Sequence, residues 1–135
     1  MDLSELIVAL QNAKAPTRKL DVEIAKLLGF KRIAEPPAPN QKNPPGKKLN
    51  WYTPDGVPGK VPPYTRLVDS ARNLVNSVAP DNVGGCSWEK GRASARINDG
   101  PYVHAANPAI ALCAAALQIL WVQQESKDAP PSQIP

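Results

Sequence analysis

Nine side chains in this sequence are candidates for binding an anion. Two lysines precede a Trp-Tyr pair in "KKLNWYT", and two arginines stand four residues apart in "RASAR". Lysine and arginine contact phosphate or carboxylate groups, while aromatic faces stack on bases or cations. The candidate ligand-binding residues are Lys47, Lys48, Trp51, Tyr52, Lys60, Tyr64, Arg66, Arg92 and Arg96.

The positive charge is concentrated in one part of the chain. Residues 31–66 contain seven lysines and arginines and two acids, a net charge of +5, so the remaining residues sum to −1 of the total of +4. A localised positive field raises the local concentration of anions. The pattern favours a small anionic ligand such as a nucleotide. Basic residues interleaved with aromatic ones are also typical of nucleic-acid binding, which stays open as an alternative.

A proline-rich segment carries most of these candidates. Nine prolines lie between residues 36 and 63, and each fixes φ and removes a backbone donor. The segment therefore predicts a long loop, with at most a short edge strand in "LNWYT". Because proline restricts the unfolded chain, we expect residues 47–66 to form an ordered surface arm. The arm could clamp a ligand, attach the loop to the body through Trp51 and Tyr52, or dock on another protein in polyproline conformation.

Residues for catalysis and metal binding are scarce. The one histidine, His104, lies in a predicted strand, and Asp21 and Glu23 are two apart on a predicted helix, so they do not share a face. The two cysteines, Cys86 and Cys113, are interpreted as free thiols, and they do not provide a zinc ligand set. We expect no enzymatic activity, no metal and no cofactor.

Hydrophobic periodicity predicts four helices and a small sheet. Two helices are expected over about 3–13 and 17–28, a third after Thr65 as its cap, and a fourth opened by Asn107. Alternation over residues 86–105 predicts three antiparallel strands. Two sets of residues face opposite ways: inward Cys86, Trp88, Ala93, Ala95 and Ile97, and outward Ser87, Glu89, Arg92 and Arg96.

These elements predict an α+β fold, in which helices sandwich or cover an antiparallel sheet of about three strands and a long Pro-rich loop is inserted. A single domain is expected over residues 1–124, with the loop at 36–63 and a disordered tail at 125–135. No apolar run has the length of a membrane span and no signal peptide is recognised, which predicts a cytoplasmic protein without a membrane partner. Unpaired sheet edges, with Trp121 and Val122 on the last helix, predict a homo-oligomer.

Several stretches in sequence order resemble a known family. "ELIVALQNAKAPTRKLDVEIAKLLG", "YTRLVDSARNLV" and "ANPAIALCAAAL" are similar to small phage and prophage proteins with the ABA sandwich domain, over most of residues 5–122. The resemblance implies a phage origin, an α/β/α-type sandwich and the cytoplasm of an infected bacterial host, and it carries no catalytic residues.

The resulting hypothesis is a non-enzymatic phage accessory protein. It would bind an anionic ligand and sequester a nucleotide-type immune signal of the host. The alternatives are an inhibitor that binds a host protein and a nucleic-acid-binding accessory protein.

Overall fold

The computed structural model describes residues 1–35 and 48–128. The candidate Lys47, residues 36–47 of the predicted loop and residues 129–135 of the predicted tail lie outside the described residues. The helices are α1 (Leu3–Asn12), α2 (Arg18–Leu27), α3 (Val68–Val78) and α4 (Pro108–Asp128). The strands are β1 (Lys31–Glu35), β2 (Lys48–Tyr52), β3 (Gly84–Glu89), β4 (Arg92–Ile97) and β5 (Val103–Ala105).

The first two helices begin at side chains that cap them, Asp2 and Thr17. The Asp2 carboxylate accepts a hydrogen bond of 2.8 Å from the Glu5 amide, and the Thr17 hydroxyl accepts one of 3.1 Å from the Leu20 amide. Each of these bonds satisfies a backbone donor that has no partner within the helix. Gly29 has a φ of 100° where the chain leaves α2, a conformation that glycine adopts without strain.

Helix α4 is the centre of the core. The Asn107 side chain caps it through a bond of 2.7 Å from the Ile110 amide, and every residue from 109 to 117 is buried. The helix packs against α1, α3 and the strands β3, β4 and β5. Five of these nine residues are alanines, whose small side chains allow close approach of neighbouring backbones. None of the helices in the described ranges is long and apolar enough to cross a membrane.

The three-stranded sheet β3-β4-β5 is antiparallel and has two different faces. Cys86 lies opposite Ala95, and Ala95 lies opposite Val103. The side chains on this face of the sheet point toward α4. Those that are buried there are Ala93, Ala95, Ile97, Val103 and Ala105. The predicted alternation is confirmed in β4 and β5, and so is the α+β class. In β3 the prediction is wrong for Trp88, which was expected to face inward and is 70% exposed, because this outer strand of the sheet packs least against α4.

The number of strands is larger than predicted. Strands β1 and β2 form a second antiparallel sheet, in which Arg32 lies opposite Trp51. The edge strand expected in "LNWYT" is β2, whereas β1 was not predicted. Both strands are short and depend on pairing with each other for stability. Neither has a hydrophobic periodicity from which it could be predicted.

Two helix boundaries also differ from the prediction. Helix α3 begins at Val68, and its preceding residue, Leu67, makes no side-chain capping bond. Thr65 is fully buried instead of capping the helix. Helix α4 continues to Asp128, so residues 125–128 of the predicted tail are helical.

Candidate anion-binding face

The side of the three-stranded sheet opposite α4 carries polar, charged and aromatic side chains. We call it the outer face, and its residues are Ser87, Glu89, Arg92, Ser94, Arg96, Tyr102 and His104. Arg92, Arg96, Tyr102 and His104 are exposed. The strand period of two places these side chains together, because every second residue of a strand faces the same way.

Three of these residues form a row across the strands. Ser87 lies opposite Ser94, and Ser94 lies opposite His104. The Ser94 Oγ is 2.7 Å from the His104 Nδ1. When the hydroxyl donates to Nδ1, the proton of the neutral imidazole sits on Nε2 and can be donated to a ligand.

The two arginines of the outer face are in different electrostatic states. Both lie on β4, on either side of Ser94, and the strand rise separates them by about 13 Å. Arg92 forms an ion pair with Glu89. The Arg96 Nε donates to the Gly100 carbonyl at 3.0 Å, and its guanidinium lies 5.3 Å from the centre of the Tyr102 ring. Arg96 has no ion pair with a described carboxylate, so it is oriented while its charge stays available.

Two open depressions on this face meet at Ser87 and Ser94. One has a volume of about 550 Å³ and includes Arg92 and His104. The other has a volume of about 370 Å³ and includes Arg96 and Tyr102. Both volumes are within the range of small-ligand sites, roughly 300–1,000 Å³.

The candidates of the proline-rich segment lie elsewhere. Trp51 and Lys60 line a depression of about 560 Å³ together with Arg18. One face of Trp51 is occupied, because the Arg32 guanidinium lies 5.7 Å from its ring centre. Arg18 is occupied as well, since it donates to the Asp21 carboxylate at 3.0 Å and to the Val61 carbonyl at 2.9 Å. This depression therefore has fewer free groups for an anion than the outer face.

The remaining candidates are distributed around this segment. Lys48 and Tyr52 are the end residues of β2, and Tyr52 is half-buried. Arg66 is exposed beside Pro63 in a depression of about 520 Å³. The structure thus divides the predicted site between two sheets: Arg92 and Arg96 on one, and Trp51 and Tyr52 on the other.

Tyr64 is a core residue and is not available to a ligand. Only 3% of its surface is exposed. Burial, with the nearby Cys113 and Asp21, raises the pKa of Tyr64 to about 12. Its carbonyl lies 3.3 Å from the Cys113 thiol, which donates to it. The sequence did not distinguish this tyrosine from an exposed one, because it directly follows two prolines in a segment without hydrophobic periodicity.

A buried polar cluster connects α2 to the segment before α3. The Asp21 Oδ1 accepts from the Thr65 amide at 2.8 Å and from the Thr65 hydroxyl at 2.7 Å. The Thr17 amide donates to the same hydroxyl at 3.1 Å, and the Arg18 guanidinium pairs with the Asp21 Oδ2. Asp21 is 1% exposed, so these bonds replace its hydration. The cluster holds the segment before α3 against α2, and none of its residues belongs to the outer face.

Sequence reasoning also missed three members of the outer face: Ser94, Tyr102 and His104. A signal for two of them was present, since Ser94 and His104 occupy the outward positions of the alternating pattern. Their proximity could not be predicted from the sequence, because it depends on the register between β4 and β5.

Burial raises the pKa of the Cys113 thiol, with a further contribution from Asp21. The reactive species of cysteine is the thiolate, so we expect Cys113 in the native protein to be alkylated at least about a hundredfold more slowly than Cys86. Mass spectrometry after iodoacetamide treatment measures both sites. The Cys86→Ser variant is the control: it should incorporate label only after denaturant is added, and rapid native labelling would contradict the burial of Cys113.

Comparison with known proteins finds no matching family model and no significantly similar curated protein or solved structure. The resemblance to the phage ABA sandwich proteins stays a prediction. The function is therefore inferred from the chemistry of the outer face.

The Ser94–His104 pair has the residue types of a nucleophile and its base. A catalytic serine also needs a group that orients the histidine and donors that stabilise developing charge. Within the parts of the chain that the structure describes, no carboxylate is hydrogen-bonded to His104. The pair also lies in an open depression.

Proposed function

We propose that this protein binds a small phosphate-bearing anion of the nucleotide class on its outer face and does not transform it. The observation that carries the proposal is the position of Arg96. This exposed guanidinium is oriented by Gly100 and Tyr102. It lies on the same face of β4 as Ser94, which contacts His104.

The chemistry of the row explains how a phosphate would be held. Hydroxyl groups, imidazole N–H and guanidinium all donate to phosphate oxygens, and bonds from charged donors are the stronger ones. Ser87 and the His104 Nε2–H supply the neutral donors, because the Ser94 hydroxyl proton is donated to the His104 Nδ1, and Arg96 supplies the charge. The exposed Tyr102 ring, beside Arg96, provides a surface on which a base can stack.

The biological role that we propose is sequestration of a nucleotide-type immune signal of the host. Sequestration needs affinity and no turnover, and the open depression with its donors provides groups for binding only. The resemblance to phage proteins supports this role. Inhibition of a host protein remains the alternative, and it does not require nucleotide binding.

The decisive experiment is isothermal titration with a panel of linear and cyclic nucleotides, inorganic phosphate and a short single-stranded DNA. We expect Arg96→Ala to weaken nucleotide binding by about 10–100-fold, since a hydrogen bond to a charged group contributes about 1.5–3 kcal/mol. Affinity should also fall with added salt. Arg72→Ala is the matched control, because Arg72 is an exposed arginine on α3.

Four outcomes would contradict the proposal. Affinities no better than millimolar, about −4 kcal/mol, for every nucleotide would exclude a small-ligand function. Binding that is lost in Lys60→Ala and kept in Arg96→Ala would place the ligand beside Trp51. New products detected by chromatography of the incubated panel would show an enzyme. A preference for the DNA over mononucleotides would instead favour the nucleic-acid alternative.

A further inference from the structure

Strand β3 is an edge strand with unused hydrogen-bonding groups. In the described residues it pairs with β4 alone. The Asn98 amide donates to the Val83 carbonyl at 2.6 Å. This bond shows which residues of β3 exchange hydrogen bonds with β4. Along an antiparallel strand, the backbone N–H and C=O groups of successive residues point alternately to one neighbouring strand and to the other. Those of residues 85, 87 and 89 point toward β4. The N–H and C=O groups of Gly84, Cys86 and Trp88 therefore point to the free edge.

This edge also carries the most exposed large hydrophobic residues of the described chain. Val83 is 77% exposed and Trp88 is 70% exposed, and they stand at the two ends of β3. Edge strands that stay monomeric are commonly protected by proline, lysine or a bulge. Strand β3 has the sequence GGCSWE, which contains neither proline nor lysine, and its pairing with β4 is without a bulge.

We propose that two copies of this chain pair through β3, antiparallel, with Cys86 opposite Cys86 of the second copy. This register brings Gly84 opposite Trp88, so Gly84, Cys86 and Trp88 of both copies all find partners, about six hydrogen bonds in total. A shift by two residues leaves only about four. The two three-stranded sheets become one sheet of six strands with both α4 helices on the same side.

Side chains at the join are complementary in this register. The Trp88 indole lies over Gly84 of the second copy, which has no side chain to obstruct it. The negative Asp81 precedes β3 and the positive Lys90 follows it, so antiparallel pairing places them at the same end of the ladder, once at each end. Burial of two tryptophans supplies the aromatic anchors that dominate the energetics of many protein interfaces.

Pairing would also complete the outer face, a consequence that rests on the proposed function. In the same register Ser87 lies opposite Gly85 of the second copy, and Gly85 is paired with Arg96 within its own chain. One row then runs from His104, Ser94 and Ser87 into Gly85 and Arg96 of the second copy. The space above Gly85 is open, since a Cβ there would meet no atom within 4 Å. A phosphate in this row would be held by the Ser87 hydroxyl of one copy and the Arg96 guanidinium of the other.

Light scattering tests the pairing without any ligand. We expect the wild-type protein at roughly 100 µM, about a hundred times a micromolar dissociation constant, to have twice the chain mass of 14.5 kDa. Trp88→Ala should raise the dissociation constant about thirtyfold or more. Val57→Ala is the control, because it removes an apolar side chain that is 54% exposed and lies outside the three-stranded sheet. Its mass should equal that of the wild type.

Charge reversal provides a test that misfolding cannot imitate, because both side chains are exposed. Lys90→Glu alone and Asp81→Lys alone should each weaken the dimer about tenfold, and the double variant should restore the wild-type dissociation constant. A monomeric wild type, or a dimer that Trp88→Ala and both reversals leave unchanged, would overturn the pairing. A dimer that binds no nucleotide would refute the proposed function alone, whereas a monomer that binds nucleotide would refute the pairing alone.

Discussion

Replacement of Asp21 by alanine is expected to lower the free energy of unfolding by about 3–5 kcal/mol, since it breaks a buried, charge-assisted cluster. The Thr65 amide and hydroxyl would lose their shared acceptor, and the Arg18 guanidinium would lose its ion pair. Thr65 is 0% exposed, so water cannot replace the lost acceptor without a rearrangement. Urea denaturation followed by circular dichroism measures the change as a shift of the midpoint.

Asp69→Ala is the control for this prediction. Asp69 is an exposed aspartate in the first turn of α3, where it contributes through the helix dipole, typically about 0.3–1 kcal/mol. The Thr65→Val variant should reproduce part of the Asp21→Ala loss, and the double variant should lose less than the sum because the two residues share bonds. Equal stabilities of Asp21→Ala and Asp69→Ala would show that the cluster does not connect α2 to the segment before α3.

Leu117→Ala should destabilise the protein by about 2–5 kcal/mol, because it removes a fully buried side chain and leaves a cavity. Leu117 is 0% exposed, near the end of the buried part of α4, where it belongs to the same core cluster as Ile110 and Leu74. The alanines around it have no side chain long enough to fill the space. Thermal or urea unfolding measures the loss.

Val122→Ala on the same helix is the comparison. Val122 is 56% exposed, so the substitution should change the free energy of unfolding by no more than about 0.5 kcal/mol. A small loss in Leu117→Ala, similar to that in Val122→Ala, would mean that the core can collapse around the missing side chain and that α4 is less central than its burial indicates.

The sequence determined the elements whose stability is local. Caps at Asp2 and Thr17, the chain reversal at Gly29 and the cap at Asn107 are short-range features, so the beginnings of α1, α2 and α4 were predicted within about a residue or two. Alternation over residues 86–105 likewise determined which side of β4 would be buried, whereas the exposure of Trp88 on β3 was not predicted. It therefore placed Arg92 and Arg96 on the exposed side.

Only the tertiary structure decided which side chains meet. Ser94 and His104 are ten residues apart in sequence, and their contact depends on the register between β4 and β5. Asp21 and Thr65 are forty-four residues apart in sequence. Neither contact follows from composition or period. Tyr64 and Thr65 were interpreted as a ligand contact and a helix cap, and the structure buries both. The physical reason is that burial and pairing are set by long-range packing against α4 and α2, while a one-dimensional pattern reports only the backbone's local preference.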